Sequence, residues 1–311
     1  EADPSLKTLL KSIEIGKKMN ATGVIGFGGG SSMDVAKLTS LILGSNENIE
    51  EVWGVSNAKG PRLPLVLVPT TAGTGSEVTP ISIITVGEEE KKGVSSPIIL
   101  PDVAILDPNL TIGLPAHTTA ATGIDAMVHA IEGYCVPGFH PLCDGSAIES
   151  LSLISKSLYQ AVEEPNNLVA RGGMHVGSYL GGIAFLKGLG LVHAISHMVG
   201  AEFNTQHGLT NAIILPVVLK YNLSGMDEKV KRMSEAMQFE NHSVDAFISN
   251  IEKMLDRLNI PKSLSEIGVP EDCFERIAKK AMKDQAYATN PKIATLEEVK
   301  EMTLASIKKA R

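Results

Sequence analysis

Val24-Ile25-Gly26-Phe27-Gly28-Gly29-Gly30-Ser31-Ser32-Met33-Asp34 reads as a short apolar strand, Val24–Phe27, a turn of three glycines and the first turn of a helix. Glycines at such a turn let the backbone bend sharply and approach a ligand, and the helix N-terminus behind them offers unpaired N–H groups with partial positive charge. A pyrophosphate suits that position. The spacing departs from G-x-G-x-x-G because Ser31 and Ser32 interrupt it, and the glycine-lysine pair of an NTPase P-loop is absent, so a bare structural turn is the competing reading. A second segment tips the balance. The buried-type strand Leu65–Val68 runs into Pro69-Thr70-Thr71-Ala72-Gly73-Thr74-Gly75-Ser76-Glu77, with two glycines and hydroxyl donors at Thr70, Thr71, Thr74 and Ser76. Two polar glycine loops after two strands favour one extended, phosphate-containing ligand, although some of these hydroxyls also suit helix capping.

Outward from this unit, Leu6, Leu9, Leu10 and Ile13 after Asp3-Pro4-Ser5 predict an amphipathic helix to about Asn20. A loop is expected from Gly44 to Pro64, and β-like runs at Ile81–Val86 and Val103–Leu106, separated by a charged turn Glu88–Lys92. From about Pro115 the pattern is helical only, over 116–134, 143–162, 168–187, 208–222, 227–237, 243–258, 270–283 and 296–309. The fold expected is α/β followed by all-α: a Rossmann-like domain over residues 1–110, whose two glycine loops suit a phosphate-containing ligand such as a dinucleotide, and an all-helical domain over 111–311. The 311 residues exceed the ~250–300 at which a single core stops growing, which also favours two domains.

The formal net charge of −7, without a long run of Lys or Arg, argues against nucleic acid or an acidic membrane as partner and for a small molecule. Three cysteines without CxxC spacing supply neither a disulfide framework nor a thiolate zinc site, and a reducing cytoplasm fits. No apolar run reaches the ~18 residues of a membrane span. The chain opens on a helix-like pattern without an initiating Met, so a further N-terminal piece is expected.

Seven of the eight histidines fall between His117 and His207. Asp125 and His129 are four apart, as are His193 and His197, and His207 follows at the expected start of another helix, so on helices each pair shares a face. An isolated Asp-x-x-x-His is more often an exposed pair than a ligand pair. Two such pairs and a further His in apolar helices are harder to explain that way, because burying them unpaired is costly and a shared ion removes the cost. One carboxylate with several imidazoles and no thiolate suits Fe(II), Mn(II), Ni(II) or Zn(II). His117, His140, His175 and His242 have no partner at ligand spacing and are assigned caps or surface positions. Cys135 and Cys143 are read as packing residues.

These segments resemble the iron-containing, or group III, alcohol dehydrogenase family over nearly the whole chain. Gly28–Asp34 resembles its GGGSxxD loop, Pro69–Thr79 its PTTxGTGSE segment and Pro101–Pro108 its PDVAILDP run, while Gly123–Glu132, Gly190–His197 and Gln206–Gly208 resemble its metal signatures. The resemblance implies Fe(2+), with Zn, Mn or Ni as alternatives, held by Asp125, His129, His193 and His207, with His197 beside the substrate as the catalytic residue. It implies NAD or NADP bound by Gly28, Gly29, Gly30, Ser31 and Asp34, by Thr70, Thr71, Thr74, Ser76 and Thr79, by Lys91 or Lys92, and by Leu110 and Leu114. Family members begin with a further strand-helix-strand portion, and nothing in residues 1–20 resembles it, so the nucleotide domain is expected to be incomplete and the choice of NAD or NADP stays open. A homodimer is implied as well. The implied reaction is hydride transfer between a small alcohol or aldehyde and NAD(P). The competing readings are a glycerol dehydrogenase- or dehydroquinate synthase-like enzyme of the same fold group, and a non-catalytic metal- and nucleotide-binding module.

Overall fold

The computed structural model describes residues 4–87 and 90–311. The first part is α/β. Helix α1 (Leu6–Lys18) is capped by the Ser5 hydroxyl, strand β1 spans Val24–Gly28, and α2 (Gly30–Ser45) starts directly from the glycine turn. Then come α3 (Ile49–Val52), β2 (Gly54–Val55), β3 (Leu65–Pro69), β4 (Ile81–Val86), β5 (Glu90–Ser95) and β6 (Val103–Ala104). A parallel sheet has the order β1-β3-β6, and a second small sheet the order β2-β5-β4, with β4 and β5 antiparallel. In the parallel sheet Gly28 is level with Pro69, so the two glycine-rich loops leave the same edge side by side, where open α/β sheets take ligands.

Everything after Ala104 is helical: α4 (Ala116–Cys135), α5 (Pro141–Glu163), α6 (Leu168–Ala184), α7 (Leu191–Phe203), α8 (His207–Asn222), α9 (Asp227–Ala236), α10 (Val244–Arg257), α11 (Phe274–Ala281) and α12 (Leu296–Lys308), with short 3-10 turns between them. Helix α4 is buried without interruption from Thr119 to Cys135, apolar residues alternating with the polar Asp125, His129 and Glu132, and α5, α6 and α8 pack round it. Ile124, Met127 and Ile131 of α4 meet Leu151, Ile154 and Leu158 of α5 in the large helical core, each contributing ~1.5–3 kcal/mol by leaving water. A separate core joins α1, α2 and the small sheet through Leu9, Leu38, Leu41, Ile84 and Val94.

The expected α/β part followed by helices is what forms. The differences are local. Of the expected charged turn, Glu88 and Glu89 lie outside the described residues, whereas Lys91 and Lys92 belong to β5, paired with Thr85 and Ile84. Long lysine stems tolerate a half-exposed strand, and the buried Val94 supplies the anchoring apolar face. The expected loop from Gly44 to Pro64 contains α3, capped by Asn48, and β2, while Val103–Leu106 shortens to two paired residues. The four-residue step from His193 to His197 implies a helix there, but its bounds are not among the predicted stretches: α7 is short, with Gly188 and Gly190 just before it and Gly200 inside it. Of the histidines expected at caps or on the surface, His140 caps α5, but His175 is neither: it is buried inside α6, and burial pushes its pKa down. Among the described residues, no single helix is long and apolar enough to cross a membrane.

Candidate metal centre and nucleotide loops

Asp125 and His129 project from one face of α4, His193 comes from the first turn of α7, and His207 is the first residue of α8. Their convergence depends on how closely α8 approaches α4. A Cβ on Gly208 would sit 2.5 Å from the Ala121 carbonyl and 3.0 Å from the Asp125 Cβ, so only glycine next to His207 permits that approach. Asp125 Oδ1 lies 3.9 Å from His129 Nε2, 3.9 Å from His193 Nε2 and 3.6 Å from His207 Nε2. One ligand atom from each of the four residues falls within a cluster no wider than 4.8 Å.

The surroundings favour a cation. Burial pushes the pKa values of His129 and His193 below the ordinary imidazole range, which leaves free lone pairs facing one another. The nearest donor is the amide of Asn211, one turn beyond His207: its Nδ2 lies 2.7 Å from Asp125 Oδ1 and 3.1 Å from both His193 Nε2 and His207 Nε2. Two N–H bonds cannot serve three acceptors, and Asn211 Oδ1 is buried without a partner among the described residues. A divalent ion would satisfy all four ligand atoms at once. No ion is in the structure, but the donor set fits one.

Residues not anticipated from the pattern support the ligands. Glu132, also on α4, places Oε2 2.7 Å from His193 Nδ1, and burial pushes its pKa up to about 8 against the pull of three N–H donors. Asp125, His129 and Glu132 stand at i, i+4 and i+7, a spacing that could have revealed the third member. His197 is one turn beyond His193, its side chain 36% exposed, with Nδ1 3.0 Å from Asp284 Oδ2. Its ring stacks on that of His207 at 5.5 Å. Asp284, 87 residues away, carries no local signal.

At the sheet edge Gly28 has φ +144°, a conformation that favours glycine, and the Thr70 N–H bonds its carbonyl at 2.9 Å, tying the two loops together. Gly29 N-caps α2 without a side-chain cap, so the first amides of α2 face outward. Beside them Thr71 Oγ1 is buried with no partner among the described residues, and Cβ atoms built on Gly29 and Gly30 would meet Thr71 at 3.5 Å and Thr74 at 2.9 Å. These features make a cradle of bare backbone. Thr74 Oγ1 accepts from the Ser76 N–H at 3.2 Å.

Asp34, Ser76 and Thr79 lie deeper, engaged by Lys37. This fully buried lysine donates to Ser76 Oγ (2.9 Å), Thr79 Oγ1 (3.4 Å) and the Ile81 carbonyl (2.6 Å), while Ser76 donates to Asp34 (2.6 Å). Burial lowers the Lys37 pKa, and Asp34 opposes that shift. Leu110 lies in a 3-10 turn, and Leu114 lines a small cavity with Ala72, Thr119, Thr122 and Arg171. The adjacent lysines point apart. Lys92 sits 3.8 Å from Glu50 and over the Trp53 ring, whereas the Lys91 charge reaches His207, whose pKa is lowered mainly by enclosure, with Asp125 opposing.

Comparison with known proteins agrees over both halves. Residues 1–108 match the family described as "Iron-containing alcohol dehydrogenase", and residues 119–307 match "Fe-containing alcohol dehydrogenase family, C-terminal". The chain is 35% identical to an NAD-dependent methanol dehydrogenase of Bacillus methanolicus over 97% of its own length and 81% of that protein's. It is 36% identical to alcohol dehydrogenase 4 of Saccharomyces cerevisiae, covering 100% of this chain and 81% of the relative. Among solved structures, 1,3-propanediol oxidoreductase superposes with a TM-score of 0.95 at 34% identity, over 99% of this chain and 82% of that one.

Proposed function

The chain belongs to the iron-containing alcohol dehydrogenase family, and on that premise we propose that Asp125, His129, His193 and His207 hold the divalent ion at which a small alcohol or aldehyde exchanges hydride with NAD(P). The observation that carries this reading is the cluster itself: four ligand atoms from three helices, within 4.8 Å, three of the four residues buried. Fe(II) is the family's ion, and the donor set also accommodates Zn(II), Mn(II) or Ni(II). When bound, the ion supplies the positive charge that eases loss of a hydroxyl proton near neutral pH, and the nicotinamide supplies the hydride acceptor or donor.

The chain's own groups do the rest. Gly28, Gly29, Gly30 and Ser31 present backbone amides to the cofactor phosphates, with Thr70, Thr71 and Thr74 alongside. Asp34, Ser76 and Thr79, joined through Lys37, hold the two loops in register beneath the cofactor. Of the two lysines, Lys91 is assigned to the cofactor ribose in this reading, because its charge acts on His207 whereas Lys92 pairs with Glu50. Leu110 and Leu114 supply apolar contact near the second loop. At the mouth of the metal site, His197 gives its Nδ1 proton to Asp284 in a hydrogen bond, leaving Nε2 to take the alcohol proton and pass it to solvent.

Residues 1–110 are the nucleotide domain and 111–311 the metal domain in this reading. A homodimer is proposed by kinship, and a cytoplasmic setting by the three buried, unpaired cysteines. The test is the oxidation of NADH and NADPH with short aldehydes, by metal-stripped protein given Fe(II), Zn(II) or no metal. Metal-dependent turnover with at least one cofactor is expected. Absence of turnover with every pair would leave a binding module instead.

A further inference from the structure

Glu132 is a carboxyl group enclosed in the helical core. It is 4% exposed, in the stretch of α4 that is buried from Thr119 to Cys135, where an unpartnered polar group would be costly. Its partners lie on α7. Oε1 accepts the Val192 N–H at 2.8 Å, and Oε2 accepts both the Gly190 N–H at 3.0 Å and a hydrogen bond from His193 Nδ1 at 2.7 Å. The Leu191 amide, between them at the start of α7, goes to Asn290 at 3.0 Å. Gly190 is confined by the same group, since a Cβ there would lie 2.8 Å from Glu132 Oε1.

A helix cap alone does not require a carboxylate in a dry core, because a neutral side chain such as Asn290 caps the neighbouring amide. The third bond distinguishes Glu132. His193 turns Nε2 toward Asp125, so Nδ1 must carry the ring proton if Nε2 is to hold an ion, and Glu132 Oε2 is the acceptor beside Nδ1. The negative charge behind the ring also raises the basicity of Nε2.

We infer that Glu132 is a positioning residue that fixes His193 as the Nδ1–H tautomer and locks α7 to α4, so that the strength of metal binding at Asp125, His129, His193 and His207 depends on a carboxylate that does not touch the metal. This rests on the metal-centre reading above.

The experiment uses the full chain stripped of metal and titrated with Zn(II) against a chromogenic chelator, with far-UV circular dichroism for helix content and nitrogen NMR of labelled histidine rings for the tautomer. Glu132→Ala should weaken zinc binding ~10–100-fold, the range seen when such supporting partners are removed. Its helix content should stay at the wild-type level while His193 loses its exclusive Nδ1–H signature. Glu132→Gln, which keeps one acceptor without the charge, should fall between the two, and it carries the same readouts if the alanine variant does not fold. Zinc affinity within twofold of wild type in both variants, with His193→Ala still losing the metal, overturns the inference alone. Weakened affinity that merely follows lost helix content, with the tautomer unchanged, reduces Glu132 to a cap and overturns it as well. If His193→Ala binds zinc like the wild type, the metal centre falls, and this inference with it.

Discussion

Lys37 on α2 donates to Ser76 across 39 residues of sequence at 2.9 Å, joining the helix that starts at one glycine loop to the turn that ends the other. The lysine is fully buried and its ionic partner Asp34 lies 3.6 Å away. Replacing it with methionine keeps the volume but leaves the Asp34 carboxylate without its cation. Loss of one partner of a buried pair costs about 3–5 kcal/mol, so Lys37→Met should lower the urea midpoint strongly and raise the cofactor KM through the loosened loops. A urea midpoint equal to wild type would mean that the pair does not hold the loops.

The ligands and His197 should separate cleanly. His193→Ala removes one of four donors in a dry site, and metal content and activity are expected to fall together. His197→Ala lies outside the cluster and should retain the metal while losing ~10²–10⁴-fold in kcat, the range of a general acid–base contribution. Metal analysis beside kcat for each variant decides this, and equal metal loss in both would place His197 among the ligands.

Gly29 tests the nucleotide cradle. Its backbone has φ −76°, acceptable to any residue, and a Cβ would be 3.5 Å from Thr71, so Gly29→Val should fold and fill the space before the α2 amides. Cofactor KM should rise at least ~10-fold with unchanged metal content, since a side chain there blocks the approach of phosphate to the amides. An unchanged KM would rule against phosphate binding at this turn.

Glu77 should leave a mark on the pH dependence of stability. It is 3% exposed, and burial pushes its pKa from 4.5 up to about 7, against the attraction of Lys37. Below pH 4.5 the acid is neutral in both folded and unfolded chains. Between pH 4.5 and about 7 only the unfolded chain releases the proton, so stability falls as pH rises through this window, by at most about 3 kcal/mol. Glu77→Gln removes that loss. Its stability relative to wild type should increase from pH 4.5 to 7 in chemical denaturation, and a flat difference would show that the carboxylate is accommodated as an ion.

Much was legible because it is local. Residues 24–34 spell a strand, a glycine turn and a helix within one window, and the four-residue step from Asp125 to His129 places both on one helical face whatever surrounds the helix. The same logic reaches Glu132 at the next turn, although a glutamate near the end of a helix has many ordinary explanations. The signal is partial at α7, where the step from His193 to His197 shows a helix but glycines just before it and inside it blur its bounds, and it fails where lysines mask a strand, as at β5.

By itself, then, the sequence determined the order of elements, the glycine turns and which faces carry Asp125 and His129, since φ, ψ preference and side-chain periodicity act over a few residues. Tertiary structure alone decided that His193 and His207 meet Asp125 on three different helices, that Glu132 and Asp284 stand behind His193 and His197, that Asn211 lies among the ligands, and that Lys91 and Lys92 part company. Those contacts join residues far apart in the chain through the packing of a buried α4, and packing is set by the whole core rather than by any one segment.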